Sequence, residues 1–280
     1  HTDAMLVSAG SGVMTSGVPD SAGVPKGCTQ DTMIAVYNDL NSVEQLLVES
    51  KDQVAAVIVE PVGANMGVVP PKEGFLQGLR DLCDKHGALL IFDEVITGFR
   101  LSFAGAAGYF GITPDLVTYG KIIGAGMPVG AYGGRKEIME MVAPAGPVYQ
   151  AGTLSGNPIA MAAGLVQLKI LWDDQDIYKR LHQKGELLFD GIRNIFREKN
   201  VPYQVNSVSS LGCIFFAKEP VTDYASAKAS DTKAFSDYFQ YMLNHGVHMA
   251  PSQFEAMFLS DAHTETDIQE TLQLLQQYFA

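Results

Sequence analysis

The sequence predicts an α/β fold, a mostly parallel sheet with flanking helices, followed by a smaller C-terminal α+β domain. Three observations carry that prediction. Short apolar runs at Val54–Val59 and Ala88–Phe92 alternate with stretches of helical period, and each run stops abruptly in charge, at Glu60 and at Asp93-Glu94. A third run, Leu116–Tyr119, ends in Gly120-Lys121. Beyond residue 173 long helical patterns enclose two short strand-like runs, which divides the chain into a large domain, 1–173, and a small one, 174–280.

The elements follow in order. Residues 9–27 are dense in Gly, Ser and Pro and read as a long surface loop, with Gly10 to Pro25 a candidate lid. Leu40–Ser50 has helical period and leads into Val54–Val59, whose unbroken apolar character suits a buried parallel strand. Glu73–His86 is amphipathic and is closed by Gly87, the residue that most readily ends a helix in left-handed backbone. Ala88–Phe92 and Leu116–Tyr119 continue the alternation, which implies crossover helices and parallel neighbours. Val129–Tyr132 is a fourth strand, leaving the glycine turn toward Gly133-Gly134. Pro158–Trp172 and Asp176–Lys199 read as helices, Tyr203–Val205 and Leu211–Phe216 as strands, and Asp231–Asn244 and Thr264–Phe279 as helices.

Composition limits what the protein can do. With 280 residues and a formal net charge of −12, the chain is a poor match for nucleic acid or an anionic membrane. The longest apolar stretches are too short to span a bilayer. Cys28, Cys83 and Cys213 are far apart, with no second cysteine at metal-ligand spacing, so no metal site is expected and a reducing cytoplasm fits best. The chain begins at His1 without an initiator methionine, which reads as a fragment.

The chemistry lies at the strand ends, because open parallel sheets bind ligands outside their carboxyl edge. Glu60, Asp93-Glu94 and Lys121 end three successive strands, so two carboxylates and an amine converge although they are distant in sequence. Any one of them alone reads as a solvated or ion-paired terminus; the coincidence of three points to a site. Lys121, between Tyr119 and the apolar pair Ile122-Ile123, is either a stem laid along apolar surface or a desolvated, reactive amine. Competing motifs fail. Lys121 lacks a following Ser or Thr and has Asp115 where a phosphate loop needs glycine; Gly124-x-Gly126 is followed by Val129, and no Gly-x-Ser-x-Gly elbow or His-Glu-x-x-His pair is present. A lysine facing a carboxylate is what pyridoxal phosphate requires, the lysine to bind its aldehyde and the carboxylate to keep its ring nitrogen protonated. Lys121 and Asp93 are those candidates.

The run Leu90-Ile91-Phe92-Asp93-Glu94-Val95-Ile96-Thr97-Gly98-Phe99-Arg100, then Thr113-Pro114-Asp115-Leu116, Gly120-Lys121 and Gly130-Ala131-Tyr132-Gly133-Gly134, resembles the class III aminotransferases, pyridoxal-phosphate transferases of fold type I. The run from Pro144 to Pro158, together with Ala250-Pro-Ser-Gln-Phe-Glu255 and Gly10-Ser-Gly-Val, is similar to the aminomutase branch of that family. That branch moves an amino group within one molecule, turning glutamate 1-semialdehyde into 5-aminolevulinate for tetrapyrrole synthesis, with the cofactor alternating between pyridoxamine and pyridoxal phosphate.

The resemblance implies roles residue by residue. Lys121 corresponds to the lysine that binds the cofactor and moves the protons, and Asp93 to the partner of the ring nitrogen. Val95 would pack on the ring face, Asn65 reach the ring hydroxyl, and Gly152 and Thr153 meet the phosphate from the neighbouring subunit of a homodimer with shared sites. Ser11 would lie in the lid near the substrate carboxylate, and Glu255 near the substrate amines. Each has a plainer alternative: Thr153 as a helix cap, Val95 as core, Asn65 as a turn residue, Glu255 as a surface acid and Ser11 as loop. The likeness also implies that His1 falls inside the large domain. An aromatic that stacks on the cofactor, a phosphate turn and a carboxylate-binding arginine would then precede it, and the polypeptide alone would be inactive. Ala125 replaces a usual glycine beside the lysine, Met257 another after Glu255, and His248-Met249 a usual Tyr-Leu.

Overall fold

A computed structural model describes residues 4, 6, 7 and 21–280 of the chain. After the short helix α1 (Lys26–Thr29), α2 (Leu40–Glu49) starts at Asp39, whose carboxylate accepts from Asn41 N at 3.0 Å and Ser42 N at 3.3 Å. Then come β1 (Ala56–Val59), α3 (Phe75–His86), β2 (Leu89–Glu94), α4 (Gly105–Phe110) and β3 (Leu116–Tyr119). A 3-10 turn over Lys121–Gly124 leads to β4 (Ala131–Gly134), α5 (Lys136–Met139) and α6 (Pro158–Asp173).

The first sheet has the order β1-β2-β3-β4. β1, β2 and β3 are parallel, pairing Val59 with Phe92 and Asp93 with Thr118, while β4 is antiparallel to β3, pairing Ala131 with Tyr119. A parallel return needs a long crossover, and the segment between Tyr119 and Ala131 holds only the 3-10 turn. β4 also starts two residues later than the apolar pattern suggests. β1 lies at the edge of this sheet with Ile58 46% exposed, so the run read as a buried strand is half open among the described residues.

α2 and α3 cover one face of the sheet through Val43, Leu47, Phe75, Leu79 and Cys83, packed on Leu90 and Phe92. Asp115 locks this layer to the strands. Its buried carboxylate accepts from Leu90 N at 2.7 Å, from Arg80 of α3 at 2.7 Å and from Arg135, just after β4, at 3.0 Å. Burial pulls its carboxyl upward, but those three bonds outweigh burial and hold it below the ordinary aspartate value.

The remaining elements are α7 (Asp176–Lys199), β5 (Gln204–Val208), β6 (Leu211–Phe215), α8 (Tyr224–Lys228), α9 (Thr232–Asn244), β7 (Met257–Phe258) and α10 (Glu265–Tyr278). β5, β6 and β7 form an antiparallel sheet in that order. Leu188, Phe189, Ile192, Ile195 and Phe196 recur along one side of α7 and meet α9 and α10 in a core around Phe216, Phe235, Tyr238 and Met242. Each such side chain contributes roughly 1.5–3 kcal/mol on burial. A further cluster joins Val62, Val68, Ile96 and Leu101 to Leu211, Cys213 and Phe215, so the loops at the carboxyl edge of the first sheet rest directly on the second.

α6 is different. It is apolar on all sides, yet it buries only Ala160, Gly164 and Leu171. Ile159 and Leu165 are each 70% exposed and Trp172 62%. No helix among the described residues is long and apolar enough to cross a membrane.

Candidate active site

The site begins with register. Asp93 pairs with Thr118, so it stands one strand away from the backbone that reaches Lys121 three residues later. Along β2 the side chains alternate, leaving Asp93 half-buried on one face and Glu94 wholly buried on the other. Val95 N donates to Asp93 Oδ1 at 3.0 Å, which fixes the carboxylate at the strand end.

Glu94 does separate work. It accepts from Ala106 N at 2.6 Å, Ala107 N at 2.9 Å and Thr97 Oγ1 at 3.2 Å, and so anchors the start of α4 beneath the turn that follows Asp93. Burial still keeps its carboxyl above the usual glutamate range against those three bonds. The sequence showed the acid but not its partner, because α4 is short and rich in glycine and alanine.

Lys121 opens the 3-10 turn with φ 46°, in the left-handed region that residues with a Cβ enter at a cost. Gly120 before it is extended, so the chain leaves β3 straight before it turns. Ile123 and Gly124 turn inward while Lys121 is exposed among the described residues. Such left-handed backbone at Lys121 is a reason to look for function there. Val95 packs against Gly120, where a Cβ would lie 3.2 Å from Val95 Cγ1.

Glu60 and Asn65 complete the cluster. Asn65 Nδ2 donates to Glu60 Oε1 at 2.7 Å, and Ala64 N to Oε2 at 3.0 Å. Burial raises the Glu60 carboxyl, the two bonds lower it, and the charge of Asp93 raises it while that of Lys121 lowers it. Asp93 and Lys121 therefore both bear on Glu60, which puts the three strand ends near one another.

Other candidates lie farther out. Glu255 is an exposed acid, and its segment joins the site's rim because Gly67 N donates to Phe254 O at 2.7 Å. Gly152 and Thr153 are exposed on a turn closed by Ser155 N to Gly152 O at 3.0 Å. Thr153 is not the helix cap; Asn157 caps α6 by accepting from Ile159 N and Ala160 N, each at 3.1 Å. Gly152 lines an apolar groove of about 670 Å³ with Phe99, Tyr119, Ile123 and Leu165, on the side of the turn that meets α6. Ser11, and the lid segment before residue 21, lie outside the described residues.

Residues 1–279 match the family described as aminotransferase class-III. The chain belongs to that family. Among the relatives of this class-III chain, glutamate-1-semialdehyde 2,1-aminomutase 1 of Lachnoclostridium phytofermentans is 66% identical over 272 residues, covering 97% of this chain and 64% of that protein. The Bacillus subtilis glutamate-1-semialdehyde 2,1-aminomutase is 54% identical over 280 residues, covering all of this chain and 65% of the relative. The class-III chain thus spans somewhat under two thirds of the length of these curated relatives. Its fold is similar to that of an omega-transaminase from Sphaerobacter thermophilus, with TM-score 0.90 at 29% identity over 100% of this chain and 65% of the other. It is also similar to a glutamate-1-semialdehyde aminomutase from Pseudomonas aeruginosa in complex with PMP, with TM-score 0.84 at 28% identity over 98% of this chain and 62% of the other. These likenesses identify the architecture as fold type I.

Proposed function

We propose that this chain carries the cofactor lysine of a glutamate-1-semialdehyde 2,1-aminomutase, an isomerase that yields 5-aminolevulinate. The observation that supports it is Asp93 and a left-handed Lys121 at adjacent strand ends, with Glu60 at the end of the next strand holding Asn65. The choice of an aminomutase over other class-III reactions follows from relatives 54–66% identical to the chain.

The donor set fits pyridoxal or pyridoxamine phosphate: an accessible primary amine, a fixed carboxylate one strand away, an amide donor, and the apolar face that Val95 presents beside Gly120. When bound, that group supplies an exchangeable amine or aldehyde and a ring that takes up electrons from the carbon losing its proton. Asp93, held by Val95 N, would be the partner of the ring nitrogen. Val95 covers the ring face and Asn65 donates toward the ring oxygen. Lys121 Nζ holds the proton and passes it between neighbouring carbons of the substrate, its exposed stem giving it reach. Ser11 would serve the carboxylate and Glu255 the amines of the amino-aldehyde substrate.

Gly152 and Thr153 serve the phosphate of a second subunit in a homodimer. The open apolar side of α6 is consistent with such a neighbour. We divide the chain into a cofactor domain, 1–173, and a small domain, 174–280, in keeping with the two sheets. A cytoplasmic location agrees with three free cysteines.

The test supplies the full-length protein with glutamate 1-semialdehyde and no amino acceptor. Formation of 5-aminolevulinate supports the isomerase. Product only when an acceptor is added would instead make it an intermolecular transaminase, the reading that the omega-transaminase likeness favours. No product under either condition, with no cofactor band, would mark the fold as non-catalytic.

A further inference from the structure

Glu60 has no role in the assignments above, yet it makes the bonds that fix Asn65. It follows β1, whose last residue pairs with Phe92, and so stands beside Asp93 at the carboxyl edge of the sheet. Its turn is tied down independently. The Tyr37 hydroxyl donates to Pro61 O at 3.1 Å, Gly63 and Val69 exchange two backbone bonds at 3.0 and 2.8 Å, and Gly67 N reaches Phe254 O. A half-buried carboxylate on a fixed turn leaves its partner little freedom.

An asparagine side chain presents two N–H donors at one end and a carbonyl oxygen at the other. Both oxygens of Glu60 already accept, one from Ala64 N and one from Asn65 Nδ2. The flipped amide would bring Asn65 Oδ1 against a carboxylate oxygen, two acceptors with no proton between them. The second hydrogen on Asn65 Nδ2 is therefore committed to point elsewhere, and the charge-assisted bond strengthens that choice. An ionised ring oxygen accepts and cannot donate, so it is held by an N–H and repelled by an amide oxygen.

We propose that Glu60 is a positioning residue that sets the amide orientation of Asn65, so that Asn65 meets the ring oxygen of the cofactor as a donor. This rests on the reading of Lys121 and Asp93 as a pyridoxal-phosphate site. Glutamine at 60 offers one acceptor where glutamate offers two, so Ala64 N–H and the Asn65 amide then compete for it.

The experiment reconstitutes the full-length protein with pyridoxal phosphate and compares wild type, Glu60→Gln, Asn65→Ala and the double variant. It reads the cofactor dissociation constant and the position of the visible absorbance band, with thermal unfolding as a check on folding. Each single variant is expected to weaken binding about tenfold and to shift the band the same way, and the double variant to be no worse than Asn65→Ala. Additive losses would overturn the proposal, since Glu60 would then act without Asn65. A wild-type band with an unchanged band and affinity in Glu60→Gln would overturn it as well, leaving the site reading intact. A wild type that forms no band would overturn the site reading and the proposal together. If Glu60→Gln does not fold, Glu60→Asp keeps the charge, withdraws it from Asn65 and carries the same expectation.

Discussion

Gly164 of α6 lies against the main-chain carbonyl of Ile123, inside the turn that Lys121 opens; a Cβ at Gly164 would overlap that oxygen. Glycine within a helix costs roughly 1 kcal/mol relative to alanine. Here the cost is offset by an approach close enough for α6 to brace the turn. Gly164→Ala is expected to destabilise the full-length protein by about 1–3 kcal/mol and to weaken cofactor binding in parallel. A gain in stability on chemical denaturation would show that the contact is slack.

Ala125 closes the same turn with φ 48°. A residue with a Cβ pays about 1–2 kcal/mol in that region, and glycine pays part of this back in unfolded-chain entropy. Ala125→Gly should therefore stabilise by about 0.5–1 kcal/mol, read as a shift in denaturant midpoint without change of slope. An unchanged midpoint would mean that the left-handed alanine is not strained.

Under the proposed assignment, borohydride reduction followed by peptide mass mapping places a pyridoxyl adduct on Lys121. An adduct elsewhere would overturn the assignment. Lys121→Ala should lower turnover by at least about 10²- to 10⁴-fold, the range that proton transfer supplies. Asp93→Asn should lower turnover while leaving the adduct on Lys121, because the ring nitrogen loses its counter-charge and the amine does not.

Asp261 ties the start of α7 to the loop before α10. Arg180 grips it at 2.8 and 3.1 Å, and Lys184 binds it at 3.1 Å. The Arg180 guanidinium, opposed by burial and aided by Lys184, holds its carboxyl down to about 2. An aspartate depressed in the folded state stabilises above its unfolded value, near 3.9, and loses that contribution as pH falls toward about 2. Asp261→Asn should thus cost stability at pH 7 and progressively less below pH ~4. Urea titrations of both proteins at several pH values test this, and a cost that does not vary with pH would refute it.

Much of this was written in the chain itself. α7 was readable end to end because its apolar residues keep helical period, and β3 because four residues lie between a proline-aspartate turn and a glycine. The strand-end charges pointed to the candidate site. What was not legible depends on contacts between distant residues. α4 starts on a carboxylate from β2, β4 reverses because its connection is short, and Lys121 opens a left-handed turn that its apolar neighbours do not announce. The bond between Glu60 and Asn65 spans a single turn, yet only coordinates distinguish it from two solvated side chains.

The alternation along β2 leaves Asp93 half-buried on one face and sends Glu94 into the interior. Two neighbours of equal charge are thereby committed to different tasks by parity alone. Inserting or deleting one residue early in this strand would exchange them, sinking Asp93 and stranding α4 without its anchor. Loops absorb a change of length far more readily, whereas β2 has in effect a fixed reading frame.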